Sequence, residues 1–139
     1  MRLTTARIAP DITFLHKPKG EAATLLQQRR TERAIELCEG MIDLAAAFFN
    51  VSSKEVRQPG RTMANAARVR QIAMYVTHVS LGLAMNDIAR GFGRDRTTVL
   101  YACHLIEDLR DDIDFDRIVQ TVERIATAAF ANRTRRSDG

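Results

Sequence analysis

The sequence has few of the residues that build turn-rich, disulfide-linked or aromatic cores. Its 139 residues include seven glycines, three prolines, two cysteines and no tryptophan. So few turn formers argue against a β-sandwich, and an aromatic content of 6% predicts a mainly aliphatic, helical core. Cys38 and Cys103 lie far apart within segments of apolar periodicity, with no CxxC motif. We therefore expect two buried thiols in a reducing cytosol, in preference to a disulfide.

Long apolar runs are also missing. A membrane-spanning helix needs roughly 18 consecutive apolar residues, and no stretch of the sequence approaches that length. The longest, around Met41 to Phe49, is interrupted by Asp43. We expect no signal peptide. We therefore expect a soluble, cytoplasmic protein that makes no membrane contact, and a chain of 139 residues normally forms one domain.

The motifs of catalytic, metal and nucleotide sites are absent as well. The sequence has no nucleophile elbow and no pair of carboxylates in an apolar setting. His16 and His78 have no Cys, His or Asp neighbours at the spacing of metal ligands. None of the seven glycines stands in a GxxxxGK[ST] phosphate loop. The sequence therefore predicts a protein that is not an enzyme and that binds no cofactor, metal or nucleotide.

Positive charge predominates, and it is unevenly distributed. The formal net charge is +4 and the isoelectric point is about 9.6, which permits nucleic-acid binding without establishing it. Residues 54–70 contain five basic residues and one acidic residue, a balance of +4, whereas residues 107–117 contain two basic and six acidic residues, a balance of −4. Such poles would orient the molecule toward a polyanion, although two unrelated solvated surfaces are the alternative interpretation.

Apolar residues recur at steps of three and four through most of the chain, a spacing that predicts amphipathic helices. The predicted helices cover Thr31 to about Asn50, Ser53 to Val56, about Ala64 to Ser80, Ala84 to Gly91, Asp95 to about Leu109, and Asp114 to about Asn132. Thr31 and Asp114 are the predicted N-caps of the first and last of these, and Asn50 is a predicted left-handed C-cap.

The two ends of the chain differ from this helical middle. Residues 1–29 show no sustained period, and two prolines and a glycine punctuate them. They predict a flexible N-terminal arm with a loop at residues 15–20, followed at most by a short helix. Residues 133–139 carry three arginines and predict a short, mobile basic tail.

The stretch from Gly91 to Ala102 is typical of the turn and reading helix of a helix-turn-helix. Its glycines favour the left-handed backbone that ends one helix, and Asp95 is suited to cap the next. An apolar stripe then recurs at Val99, Ala102, Cys103, Ile106 and Leu109. The stripe leaves Arg96, Thr97, Tyr101 and His104 largely off the core. The arginine, the threonines and the aromatic ring can then reach phosphates, base edges and thymine methyl groups.

Several side chains of this predicted reading helix have competing interpretations. Thr97 and Thr98 are poor helix formers, which favours a surface role, although one of the two could be buried. Tyr101 could equally lie on the surface or against another helix. For His104, packing against a neighbouring helix is the favoured interpretation.

Two runs of residues together resemble the C-terminal DNA-binding domain of the bacterial replication initiator DnaA. They are Arg70 to Tyr75 and, about twenty residues later, Phe92 to Ala102, and the resemblance covers about Ile35 to Asp112. It implies an all-α helical bundle with a helix-turn-helix, of the Trp-repressor-like class. The predicted DNA-binding domain therefore covers residues 30–112, and an additional C-terminal helix covers residues 113–132.

The resemblance implies roles for residues ahead of the reading helix. Arg70 and Gln71 match a helix-opening Arg-Gln pair that contacts phosphates and nearby bases. The family's loop before this pair carries an arginine that enters the minor groove, and Arg61 is the nearest candidate here. Arg57 is assigned to the same Pro-Gly loop and is predicted to bind phosphate, because no partner is available four residues away.

Within the helix-turn-helix, Arg94 and Asp95 match the family's Arg-Asp pair, in which the aspartate reads a base amino group. Thr97 and Thr98 match its threonine pair, which meets thymine methyl groups and a phosphate. The complete predicted DNA-binding set is Arg57, Arg61, Arg68, Arg70, Gln71, Arg94, Asp95, Arg96, Thr97, Thr98 and Tyr101.

The sequence departs from the family pattern at two positions of the reading helix. Arg96 and Tyr101 stand where family members place histidine. Arginine is longer and permanently charged and favours guanine O6 and N7 or a phosphate, and tyrosine adds a stacking surface. The preferred DNA site is therefore expected to differ from the initiator's usual box.

These observations predict a sequence-specific binder of double-stranded DNA. It would act as a transcription regulator or as a modulator of replication initiation at initiator-type sites, and it resembles the initiator's DNA-reading part without the ATPase module. The alternative is a protein–protein adaptor that binds the initiator or its regulators. The last helix, Phe115 to Ala131, lies outside the resemblance and is the candidate contact of a homodimer.

Overall fold

Every element in the described part of the chain is an α-helix, which confirms the all-α fold class. The computed structural model describes the backbone of residues 4–58 and 64–138, and the side chains of residues 20–58 and 65–131. The helices are α1 (Thr4–Phe49), α2 (Ser53–Arg57), α3 (Ala64–Val79), α4 (Met85–Phe92), α5 (Arg96–Leu109) and α6 (Ile113–Asp138).

The first helix begins far earlier than its cap signal predicts. α1 starts at Thr4, so the predicted start at Thr31 and the predicted loop at residues 15–20 are wrong. Residues 21–30 are rich in Glu, Ala, Leu, Gln and Arg, which are good helix formers, and no helix-breaking residue separates them from residue 31. Met1–Glu32 forms a compact unit distinct from Arg33–Gly139, and every described side chain of residues 20–30 is exposed.

The second unit, Arg33–Gly139, is built around α3, which contacts α2, α4, α5 and α6. Its core is mostly aliphatic, as predicted, with Ile72, Val76 and Ile106 among its fully buried side chains. Cys38 and Cys103 are buried free thiols, as expected. Burial raises the pKa of Cys38 to about 12 and that of Cys103 to about 11, so both stay protonated at neutral pH.

Several helix ends follow the local signals in the sequence. Asn50 has a φ of 55° and ends α1 in the predicted left-handed conformation. Ser52 caps α2, because its Oγ accepts the N–H of Lys54 at 3.2 Å. Gly93 has a φ of 63° and ends α4, so the break predicted between the two helices of the helix-turn-helix is present.

The last helix starts and ends differently from its prediction. Asp112 caps it in place of Asp114, because Asp112 Oδ1 accepts the N–H groups of Asp114 at 2.9 Å and Phe115 at 3.0 Å. α6 continues to Asp138, so the tail predicted for residues 133–139 is helical through residue 138. No proline or glycine interrupts the sequence between residues 113 and 138, which leaves nothing to end the helix earlier.

A polar network centred on Arg110 holds α6 against α3 and α5. Arg110 donates from Nε to Asp116 at 2.5 Å and from Nη1 to the Tyr75 hydroxyl at 3.1 Å, and Nη1 lies 3.0 Å from Glu123. Tyr75 in turn donates to Glu107 at 2.5 Å. Two acids of residues 107–117 therefore have partners within the fold: Glu107 accepts from Tyr75, and Asp116 is paired with Arg110.

Candidate nucleic-acid interface

The helix-turn-helix consists of α4, the turn at residues 93–95 and α5. Buried side chains anchor α5 in the core: Val99, Ala102, Cys103 and Ile106. A continuous exposed face remains, and we call it the reading face: Arg96, Thr97, Leu100, Tyr101 and His104. Tyr101 is 62% exposed, which decides between its two interpretations in favour of the surface.

Three details of the reading face correct the expectations from sequence. His104 is exposed, so its predicted packing against a neighbouring helix is wrong. Neither Thr97 nor Thr98 is buried. Leu100 is 38% exposed and was not among the predicted site residues. It lies three and four residues after Thr97 and Arg96, and that spacing places it on their side of the helix. That spacing was the one sequence signal that could have added Leu100 to the candidate site.

Asp95 occupies the predicted N-cap position of α5 but does not bond as a cap. Its backbone is extended, with φ of −70° and ψ of 151°, and its side chain makes no capping hydrogen bond. The exposed carboxylate therefore stands at the start of the reading face without being committed to the helix terminus. An uncommitted acceptor in this position is suited to a donor outside the protein.

Arg70 and Arg94 converge on the end of α2. Arg94 Nη2 donates to the carbonyl of Gln58 at 2.6 Å, and Arg70 Nη1 donates to the carbonyl of Val56 at 3.0 Å. The last carbonyls of a helix have no intrahelical donor and carry partial negative charge, which explains why two cations gather there. Burial, and then the charge of Arg94, lower the pKa of Arg70.

These two bonds give the Arg70–Arg94 pair a positioning function within the fold. They join the turn of the helix-turn-helix and the central helix α3 to α2. Arg70 and Gln71 lie in the second turn of α3, which begins at Ala64, so they do not open the helix as predicted. Gln71 is half-buried on the same helix.

Arg57 and Arg68 lie apart from this pair. Arg57 is the last residue of α2, so its predicted place in the Pro-Gly loop is wrong, and it forms an ion pair with Asp43 at 3.0 Å on another helix. Asp43 was visible in the sequence only as an acid inside an apolar stretch. Arg68 lines a cavity between α1, α3 and α6, and Arg61 lies outside the described residues.

A metal site and a membrane-spanning helix are both absent from the described part of the chain. Among the residues with described side chains, no group of three His, Cys, Asp or Glu converges as metal ligands do. No described helix combines the length and the hydropathy that a membrane span requires.

A short helix, a glycine-ended turn and a second helix with an exposed polar face define a helix-turn-helix protein. Residues 38–106 match the family described as the bacterial dnaA protein helix-turn-helix. The chromosomal replication initiator protein DnaA of Mycobacteroides abscessus is 44% identical over 59 residues, which are 42% of this chain and 12% of that protein. Residues 38–106 are therefore a helix-turn-helix domain of the bacterial DnaA type.

The fold is also that of a solved initiator structure. A crystal structure described as that of a DNA replication initiation factor matches 81% of this chain and 36% of its own, with a TM-score of 0.67 at 22% sequence identity. The match to the initiator of M. abscessus covers only about an eighth of that protein. The helix-turn-helix domain that residues 38–106 match is a DNA-binding module in this family.

Proposed function

We propose that this chain binds double-stranded DNA sequence-specifically at initiator-type sites, where it modulates replication initiation or regulates transcription. The observation that carries the proposal is the reading face of α5. Its polar side chains are exposed, while the opposite side of the same helix is locked into the core. A rigid helix with an exposed polar face is the element that docks in a major groove.

The residues at the start of α5 supply three different kinds of base contact. Arg96 can donate two hydrogen bonds to guanine O6 and N7, and Asp95 can accept from a base amino group. Thr97 offers a methyl group for thymine and a hydroxyl for either a base or a phosphate. Thr98 and Tyr101 extend this surface toward the flanking phosphates and bases.

Backbone contacts are assigned to residues outside the reading face. We assign Arg61 and Gln71 to phosphates or the adjacent minor groove, and Arg70 and Arg94 to holding α2 and α3 in register with the turn. Arg57 can reach a phosphate only by exchanging the Asp43 carboxylate for it. Arg68 lies about 200° around α3 from Arg70, on the side of the helix that lines the cavity. Any contribution of Arg68 to DNA binding would therefore be indirect.

Selection of bound sites from random duplex DNA, followed by Arg96→Ala, tests the proposal. The wild-type chain should enrich one motif at moderate salt. Arg96→Ala should weaken binding to that motif by about 1–3 kcal/mol and relax the preference at one position, because a bidentate contact is lost. Arg117→Ala, an exposed arginine on α6, is the matched control and should leave the motif unchanged.

Two outcomes would reject parts of this proposal. An equal loss of affinity for random DNA upon Arg96→Ala would show that Arg96 binds only the backbone. Failure of the wild-type chain to enrich any motif would favour the adaptor function, in which the helical bundle binds another protein. The second outcome would also require a new explanation for the exposed Arg96 and Thr97.

A further inference from the structure

The face between the end of α1, the start of α3 and α6 is incompletely filled. It holds a cavity of about 210 Å³ lined by Phe49, Val69, Ile72, Phe115, Ile118 and Arg68. Pockets for drug-sized ligands usually measure about 300–1,000 Å³, so this cavity is too small for a cofactor. Its size and apolar lining suit one or two inserted side chains.

Arg68 makes this cavity unusual. Its Nη1 is buried and has no hydrogen-bond partner among the described residues. A buried donor without a partner is costly, and native proteins seldom retain one unless an external group completes it. A carboxylate is the partner that fits a guanidinium best. The lining of the cavity therefore fits a binding group that combines an apolar side chain with a neighbouring carboxylate.

The exposed side of α6 carries that combination. Ile118 is 41% exposed and Ile125 is 40% exposed, and residues seven apart lie on one face of a helix. Asp114 is exposed one turn before Ile118 and shares its face. Asp114 and Arg68 form no ion pair with each other in the described structure, although both lie at the Ile118 end of this face.

We propose that a second copy of this chain covers this face, with the two α6 helices packed against each other. A twofold contact places the same patch on both copies, so each contact occurs twice. An isoleucine of each α6 enters the cavity of the other copy, and Asp114 of each copy pairs with Arg68 of the other. Charge complementarity selects a second copy, because the chain itself carries both the acid and its unpaired arginine.

The proposed contact is separate from the reading face. The dimer face belongs to α1, α3 and α6, whereas the reading face belongs to α5. A dimer would carry two reading helices and would bind two half-sites together. The inference does not rest on DNA binding, because association is measured on the protein alone.

A charge exchange measured by sedimentation equilibrium of the full chain tests the proposal. Arg68→Glu and Asp114→Arg should each raise the dissociation constant of the dimer by about tenfold or more, because each places like charges together. The double variant should recover association to within about threefold of wild type. Circular dichroism on each variant separates loss of association from loss of folding.

Two isoleucines of α6 provide a test substitution, at Ile125, and its matched control, at Ile113. Ile125→Asp should dissociate the dimer, because it places a charge within the apolar stripe. Ile113 is 64% exposed but lies five residues before Ile118, about 140° around the helix, so Ile113→Asp should leave association unchanged. A wild-type chain that is monomeric at about 100 µM would overturn the proposal, as would an equal effect of both substitutions.

Discussion

At the residue scale, Gly91 and Gly93 lie two positions apart and serve different purposes. Gly93 takes a left-handed conformation that ends α4. Gly91 lies inside α4, where a Cβ would stand 2.5 Å from Cys38 Sγ and 2.6 Å from Cys38 Cβ. The absent side chain of Gly91 is therefore what lets α4 approach α1 and sets the depth at which the helix-turn-helix docks on the core.

Gly91→Ala should destabilise the protein, opposite to the usual effect of this substitution. Alanine in a helix interior normally gains about 0.5–1 kcal/mol over glycine. Here the new methyl group overlaps Cys38, which is completely buried, so we expect a net loss of about 1–3 kcal/mol. Urea unfolding measures it. Gly20→Ala in α1 is the control, since a Cβ at Gly20 would meet no neighbouring atom within 4 Å and stability should not fall.

Arg94 provides a second test at this scale, because its contact is made to a backbone atom. Arg94→Ala removes the bond to the Gln58 carbonyl, and a bond from a charged donor contributes about 1.5–3 kcal/mol. Amide hydrogen exchange in α2 should therefore become about tenfold faster or more. Arg96→Ala should leave that exchange unchanged, since Arg96 is exposed on α5; equal exchange rates in both variants would contradict the positioning role of Arg94.

At the scale of elements, α6 is attached through polar contacts as well as through its apolar face. Val119, Val122 and Ala126 pack into the core, while Arg110 joins α6 to the end of α5 and to Tyr75 of α3. Burial lowers the pKa of Arg110, but the hydrogen bonds to Asp116 and Tyr75 and the charge of Glu123 together raise it by more, so the net shift of the pKa is upward. Arg110 and α6 lie outside residues 38–106, which are the part of the chain that matches the family.

Arg110→Ala should loosen α6 while the reading helix stays folded. Its side chain is 18% exposed, and its removal leaves Asp116 and Glu123 without their cation. For this partly buried network we expect a loss of about 1–3 kcal/mol in the free energy of unfolding, less than for a fully buried pair. Denaturant unfolding checks this. Arg117→Ala, on an exposed position of the same helix, should change stability by less than about 0.5 kcal/mol.

At the scale of the whole molecule, charge distribution governs how the protein meets DNA. The net charge is only +4, so binding depends on where the cations lie and less on their total number. The exposed Arg96 on α5 places a positive charge on the reading face itself. Two of the six acids in residues 107–117 are bonded inside the fold, Glu107 by the Tyr75 hydroxyl and Asp116 by Arg110, and the Arg110 charge offsets that of Asp116.

Salt dependence tests the assignment of Arg61 to the DNA backbone. The logarithm of the binding constant should fall linearly with the logarithm of salt concentration, because bound cations release counterions from DNA. Arg61→Ala should flatten that slope by roughly one unit and weaken all sequences alike. An unchanged slope would remove Arg61 from the interface. Arg117→Ala again serves as the control and should keep the wild-type slope.

The features that sequence predicted well are those that depend on a few neighbouring residues. The left-handed Asn50 and the Gly93 break each rest on one residue and the next few backbone groups. The start of α1 and the end of α6 were missed, since helix-forming residues continue past the expected caps. A residue that is suited to capping can also lie inside a longer helix, so a cap signal alone does not fix where a helix begins.

Part of the candidate site could be predicted from the sequence, because helical periodicity also depends only on nearby residues. Periodicity placed Arg96 and Thr97 on the surface of α5 and left Tyr101 undecided between the surface and another helix, and all three are exposed. The partners of the other arginines could not be read, because they lie far away in sequence. Arg94 meets a carbonyl 36 residues earlier, and Arg57 meets Asp43, 14 residues earlier, on another helix.

The sequence by itself determined the helical class, the helix-turn-helix and the polar face of α5, because each follows from residue spacing within one or two turns. Only the tertiary structure decided which cations are committed to the fold and which face outward. Arg57 and Arg94 are held by internal acceptors, Arg96 is exposed, and Arg68 has an Nη1 that no described residue satisfies. That division depends on which helices pack together, and it separates the residues available to DNA from those that build the surface it meets.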